Sequence, residues 1–288
     1  MELILGHNQF IGISHISEER SRERNQRFST VENIYRIVEQ AADLGFSGMV
    51  IESHPRMIEF LEYYKKTRTV DIEFYLQLPY IQGYVAKINE QGFSGLLKDI
   101  IKKSSMKDLS TVVLGNILNA AKMDYLAMAT SLLRLEASPF LDVKIKALLL
   151  HNVLSDLLLS LHLKDSFCSY RQYVEKKLKI KAGIVTLNFH LFKTCLDSWN
   201  IPPFLVMTPI NPMGFDMNPS QVTVEANLKE YNGKIIAMNV LGGGAFSVQE
   251  SFNYLQSIGS VTSAVVGASS EEHLKEIIDV AKKYEEQA

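Results

Sequence analysis

Short β-rich runs alternate with amphipathic segments from one end of this chain to the other, and that alternation constrains the fold more than any other property. Strands are expected near residues 2–8, 48–53, 72–78, 110–116, 145–151, 182–188, 203–209, 234–241 and 262–267. Several are apolar almost throughout, as in Ala147-Leu148-Leu149-Leu150 and Phe204-Leu205-Val206-Met207. A strand that helices cover on both faces needs no polar side, so such runs point to a parallel sheet. Thr30 can cap a helix in which Ile34, Ile37, Val38 and Ala41 recur at helical spacing until Gly45 stops it. Pro55 suits the start of a helix carrying Met57, Ile58, Phe60 and Leu61, and the segment from Glu271 to Glu286 repeats Leu274, Ile277, Ile278 and Ala281 on one face. This repetition over 288 residues predicts an α/β fold, a (β/α)8 TIM barrel forming a single domain over 1–288. Nine candidate strands for eight places leave one misassigned or outside the barrel, and the first run and 110–116 are the two in question.

A 47% hydrophobic content supports a full core, and a net charge of −2 gives no global field for nucleic acid or an acidic membrane. Ala147 to Leu163, the most apolar stretch, is interrupted by His151, Asn152, Asp156 and His162, so no membrane span is expected. The start, Met1-Glu2-Leu3-Ile4-Leu5-Gly6, lacks the basic region and long apolar run of a secretory signal. Cys168 and Cys195 have no metal-type spacing and fit idle thiols in a reducing compartment. These features predict a cytoplasmic protein whose partner is a small molecule, with oligomeric state left open.

Two consecutive strand-to-helix junctions near the C-terminus end in small residues. Ile235 to Leu241 runs into Gly242-Gly243-Gly244, and Ser263-Ala264-Val265-Val266 runs into Gly267-Ala268-Ser269-Ser270. A phosphate can approach such backbone amides closely, and a barrel of this kind builds its phosphate site in the loops after its last two strands. Glycine also serves tight turns, and Ser269 or Ser270 can simply cap the last helix.

Several segments resemble the aldo/keto reductase superfamily. Leu5-Gly6-His7-Asn8-Gln9-Phe10-Ile11-Gly12 is similar to that family's opening "LGTxxFG", and Ala41 to Phe46 followed by Met49-Val50-Ile51-Glu52 to its "AxxxGxxxIDTA". Ser131-Leu132-Leu133-Arg134-Leu135 with Ala147-Leu148-Leu149-Leu150-His151 resembles "SLxRL…DLyLiH", Gly183 to Phe189 "GVSNF", and Asn211-Pro212 the "NP" ending the next strand. The two glycine-bearing junctions resemble "PLGxG" and "GASxxEHLxEN". The resemblance implies a barrel that binds NAD(P) and reduces a carbonyl, protonating it with a Tyr whose pKa is lowered by a Lys paired to an Asp, beside a His. Here His151 matches the His and Glu52 stands near the Asp position, but the Tyr position falls on Met57 and the Lys position on Gln77 or Asn116. The Ser and Gln that grip the carboxamide fall on Leu187 and Met207, which leaves Asn188 for that role. Glu271 replaces the basic residue beside a 2′-phosphate, so the resemblance favours NAD.

Taken from the residues alone, His7, Glu52, His54 and His151 fall at or just past strand C-termini, where barrel enzymes place catalytic groups. Three imidazoles and a carboxylate can move protons or ligate a divalent metal, although His7-Asn8-Gln9 lacks a paired His-x-His; each histidine can also be a satisfied rim residue. Asn188, Asn211 and Asn239 offer both donors and acceptors, or serve turns and caps. Arg20, Arg22, Arg24 and Arg27 can clamp an anion over the mouth, while the interleaved Glu18, Glu19 and Glu23 argue for a solvated, self-paired segment. Two functions of different class follow. One is a nicotinamide-linked oxidoreductase with His151, Glu52, His54 and His7 as catalytic groups and Asn188, Gly242, Gly243, Gly244, Gly267, Ser269 and Ser270 as cofactor contacts. The alternative is a non-redox lyase, isomerase or metal-dependent hydrolase acting on a phosphorylated metabolite at the same loops. A binding barrel without turnover is a third.

Overall fold

In the computed structural model, which describes residues 1–13, 17–80, 83, 89–90 and 133–285, parallel strands β1 (Glu2–Leu5), β2 (Gly48–Glu52), β3 (Glu73–Leu78), β4 (Ile145–Leu150), β5 (Lys181–Val185), β6 (Leu205–Pro209), β7 (Ile235–Met238) and β8 (Ser263–Val266) close in chain order into a barrel. The (β/α)8 architecture expected from the strand alternation is therefore present. The first run is a barrel strand: β1 pairs with β8 from Glu2↔Ser263 to Leu5↔Val266 and closes the cylinder. The run at 110–116 lies outside the described residues, as does Asn116, and the barrel closes without it.

Side chains alternate between two cores, which explains why the strands are apolar on both faces. Ile4, Val50, Tyr75, Leu149, Val185, Met207 and Ile236 fill the interior, while Leu3, Met49, Leu148, Ile184 and Val206 face the helices. Among the described residues those helices are α1 (Glu18–Arg27), α2 (Val31–Leu44), α3 (Pro55–Thr67), α4 (Asn152–Ser160), α5 (Lys164–Arg171), α6 (Phe189–Trp199), α7 (Gln221–Glu230), α8 (Val248–Ile258) and α9 (Glu271–Glu285). Thr30 stands at the N-cap of α2 without a side-chain capping bond, and Gly45 ends that helix at φ 110°. None of the described helices is long and apolar enough to cross a membrane.

The N-terminal end of the barrel is closed by polar contacts centred on Glu2. Its carboxylate accepts hydrogen bonds from Ser47 Oγ and Tyr75 OH at 2.9 Å and from Ser263 Oγ at 3.0 Å. Burial and the hydrogen bond to the Glu2 carboxylate push the Tyr75 phenol far above its ordinary range. These contacts tie β1, β3 and β8 together at the end opposite the strand C-termini.

Candidate functional site

At the C-terminal mouth the strand alternation continues one step further and defines a ring. Two positions beyond the interior residues Ile4, Val50, Tyr75, Leu149, Val185, Met207, Ile236 and Val265 come Gly6, Glu52, Gln77, His151, Leu187, Pro209, Met238 and Gly267. All of these line one cavity of about 740 Å³. The size falls in the range of small-molecule sites. Its wall also includes His7, Asn239, Gly243, Gly244, Ser269 and His273, and, from α1, Arg20, Glu23, Arg24 and Arg27.

Two of the predicted catalytic groups form a pair. His7 begins the 3-10 turn after β1, and its Nε2 lies 3.6 Å from Oε1 of Glu52 at the end of β2. Both side chains are buried, and Glu52 Oε1 has no hydrogen-bond partner. Burial alone would raise the Glu52 carboxyl, but the charge of His7, with smaller contributions from His151 and His54, holds it below the ordinary range. The pair thus keeps a buried, ionised acceptor at the cavity wall, where a ligand hydroxyl can donate to it.

His151 caps α4: its Nδ1 accepts from Val153 N at 3.2 Å, so the ring proton resides on Nε2. Burial, stronger than the opposing pull of Glu52, lowers its pKa and keeps the ring neutral near pH 7. A neutral Nε2–H at the cavity wall can donate to a carbonyl oxygen.

Other expected site residues have local duties. His54 does not line the cavity; it is the N-cap of α3, with Nδ1 accepting from Arg56 N at 3.1 Å and its ring edge-on to Tyr80 at 5.3 Å. Asn188 is likewise withdrawn: its Oδ1 caps α6 through Leu191 N at 3.0 Å, and Leu187 faces the cavity in its place. That junction is set by Asp156, which accepts from Thr186 Oγ1 and from Leu187 N. Asn211 is fully buried and braces its own loop through Phe215. Asn239 lies beyond β7, which ends at Met238, and adopts a left-handed φ of 54° that no strand residue takes. Met57, at the expected Tyr position, is buried away from the cavity, whereas Gln77 lines it. Tyr80 does not replace the missing phenol, because burial and the charge of Glu52 raise its pKa rather than lower it.

The glycine-bearing junctions offer fewer free amides than their sequence promises. Gly242, Gly243 and Gly244 have φ of 55°, 73° and 100°, a left-handed run that side chains strain. Gly242 N donates to Asn239 O and Gly244 N to Leu241 O, which leaves Gly243 N as the open donor among them. Gly242 does not line the cavity. Gly267 is small for another reason: a Cβ there would approach Gln9 Oε1 to 2.9 Å. Buried Gln9 donates to Gly6 O and Ala268 O, tying the ends of β1 and β8 together. Ser269 lines the cavity, while Ser270 caps α9 through His273 N and faces a second hollow of about 320 Å³. Glu271, expected to repel a 2′-phosphate, is already engaged by Lys275 Nζ at 2.6 Å and Gln40 Nε2 at 2.8 Å.

The arginine-rich segment is a helix that buries no side chain, as its mixed charge anticipated. It is not self-paired, however. Among the described residues Arg20, Arg24 and Arg27 form no ion pair with a carboxylate, and all three line the cavity. No group of three or more His, Cys, Asp or Glu among the described residues could hold a metal ion, so the four rim residues do not assemble into the metal centre weighed from the sequence.

The chain matches no protein-family model and no curated protein. Solved structures do resemble it. An aldo-keto reductase from Pseudomonas aeruginosa superposes with a TM-score of 0.56 at 13% identity, covering 98% of this chain and 90% of that one. A 2,5-diketo-D-gluconic acid reductase B matches at 0.51 and 13%, covering 96% and 81%, and an aldo-keto reductase from Brucella melitensis at 0.50 and 13%, covering 96% and 88%. In fold, this chain is a closed eight-stranded parallel barrel similar to those of aldo-keto reductases.

Proposed function

We propose that the chain is an oxidoreductase that binds a nicotinamide dinucleotide and a small carbonyl or sugar-type substrate in the mouth cavity. The observation that carries this reading is one continuous cavity joining the polar floor of His7, Glu52 and His151 to the loops bearing Gly243, Gly267 and Ser269. Its volume accommodates a dinucleotide with a small substrate, and apolar Leu187 and Met207 provide a wall for a planar ring. A bound dihydronicotinamide would supply the hydride.

The residues of the chain handle the oxygen and the proton. His151 donates its Nε2–H to the substrate oxygen and stabilises the charge that develops there. His7, held by the ionised Glu52 at 3.6 Å, delivers the proton that the family's Tyr would otherwise give. Gln77, one of the two positions at which the resemblance places a Lys, offers a neutral amide and leaves Glu52 free to pair with His7. Since Glu271 is engaged, its charge gives little basis for favouring NAD over NADP.

The test is a thermal-shift series with NAD, NADH, NADP and NADPH, followed by carbonyl-dependent oxidation of whichever reduced form binds. A ligand at roughly a hundred times its Kd adds about 2.7 kcal/mol to stability and raises the melting temperature by several degrees. Identical melting with all four would end this reading. Activity should persist after treatment with a chelator, because the proposed proton path uses side chains alone.

A further inference from the structure

The open amides of the glycine and serine loops are few, yet the cavity has a larger source of positive charge on a different element. Arg20, Arg24 and Arg27 are spaced four and three residues apart, so they share one face of α1, and that face lines the cavity. No core holds α1 in place, since none of its side chains is buried. It is fastened by polar contacts instead: Arg24 Nη1 donates to Ile13 O at 2.6 Å, and Arg56 Nη1 donates to Asn25 Oδ1 at 3.1 Å. Burial and the neighbouring charge of Arg20 lower the Arg24 pKa. Acidic groups also face the cavity: Glu23 on the same helix, Asp216 from the loop after β6, and Glu52, which is opposite His7. None of them forms an ion pair with the three arginines among the described residues. The wall of the same cavity also carries Gly243, Ser269 and His273.

We propose that α1 is the phosphate clamp of this protein, its Arg20, Arg24 and Arg27 gripping the diphosphate of a nucleotide ligand against the loops after β7 and β8. Guanidinium groups suit this task because each presents a planar fork to phosphate oxygens. The array runs about 10 Å along the helix, which fits a diphosphate better than a single phosphate. Arg27, at its end, also borders the second hollow beside Ser270 and Glu272, so the row leads from the cavity towards the start of α9. The assignment rests on the nicotinamide reading for the identity of the ligand and not for the grip itself.

Calorimetric titration with ADP, NADH and glucose 6-phosphate tests it on the wild type, on the double variant Arg20→Gln/Arg27→Gln, and on Arg22→Gln. Arg22 is exposed on the same helix and does not line the cavity, so that variant loses the same kind of charge without touching the clamp. With melting temperatures unchanged, the double variant should bind ADP and NADH about a hundredfold more weakly, and Arg22→Gln within roughly twofold of the wild type. Added salt should weaken wild-type binding more than that of the double variant. Unaltered NADH affinity in the double variant overturns the clamp and leaves the nicotinamide reading standing. Arginine-dependent binding of ADP without binding of NADH upholds the clamp and overturns the nicotinamide reading. Binding of glucose 6-phosphate but not ADP overturns the diphosphate assignment, and binding of no phosphate-bearing probe overturns both readings.

Discussion

At the scale of single residues, the proposed chemistry rests on His151 and the His7–Glu52 pair. Replacing His151 with Ala should lower kcat/KM for carbonyl reduction by about a hundredfold to a thousandfold, the usual effect of losing one donor to a developing oxyanion. Loss of its capping bond should cost about 1 kcal/mol of stability, so steady-state kinetics and melting separate the two roles. His54 and His151 also fix a pH dependence. Burial depresses both below 6.5, so on acidification the unfolded chain takes up protons before the folded one. The stability they contribute is complete above pH 6.5 and is lost as pH falls from there through the folded values. Urea midpoints should therefore drop between pH 7.5 and 5.5, and the His54→Gln/His151→Gln double variant should flatten that slope. Part of this division of labour was legible beforehand. Pro55 marks the first position of a helix, which makes His54 its cap, but His151 caps α4 in the same way and still lines the cavity. The pairing of His7 with Glu52 was not legible, because it joins the ends of two strands through a turn whose course no local pattern records.

Among the elements, the strands were the most readable, since apolar runs on both faces have few other uses. Their period of two also names the residues that line the mouth: Gln77, Leu187, Pro209 and Met238 each lie two beyond an interior residue. The reading by motif named Gln77 and Leu187 only as departures from the family's pattern and passed over Pro209 and Met238, because none is a conventional catalytic type. Loops were less readable, for small residues there answer several different demands. Gly267 makes room for Gln9, and Gly242 to Gly244 permit a left-handed turn whose amides are largely spent within it. Asn188, Ser270 and His54 share another reason for the mismatch, because the residue after a strand is often the cap of the next helix. Inside β5, Gly183 lies between β4 and β6, and a Cβ there would come within 2.5 Å of Leu149 Cδ2 and 2.9 Å of Leu205 Cδ2. Gly183→Ala should overpack the interior and cost about 1–3 kcal/mol in urea unfolding, without altering the order of ligand affinities.

For the molecule as a whole, the polar contacts at the lower end contribute stability and the open upper end holds the proposed site. Glu2→Ala would strip the hydroxyls of Tyr75, Ser47 and Ser263 of a shared acceptor, and leaving the Tyr75 hydroxyl unsatisfied should cost about 2 kcal/mol. The cavity lies at the opposite end, so this variant should retain wild-type affinity for whatever binds there; a large loss of affinity would show the two ends to be coupled. The seam of the cylinder has a consequence of its own. The first and last strands meet beneath the cavity, and Gln9 laces their tips together through Gly6 and Ala268. A ribosome that has delivered only seven strands therefore holds a chain with no complete receptor. Capture of a small molecule would report, during synthesis, that the ring has closed.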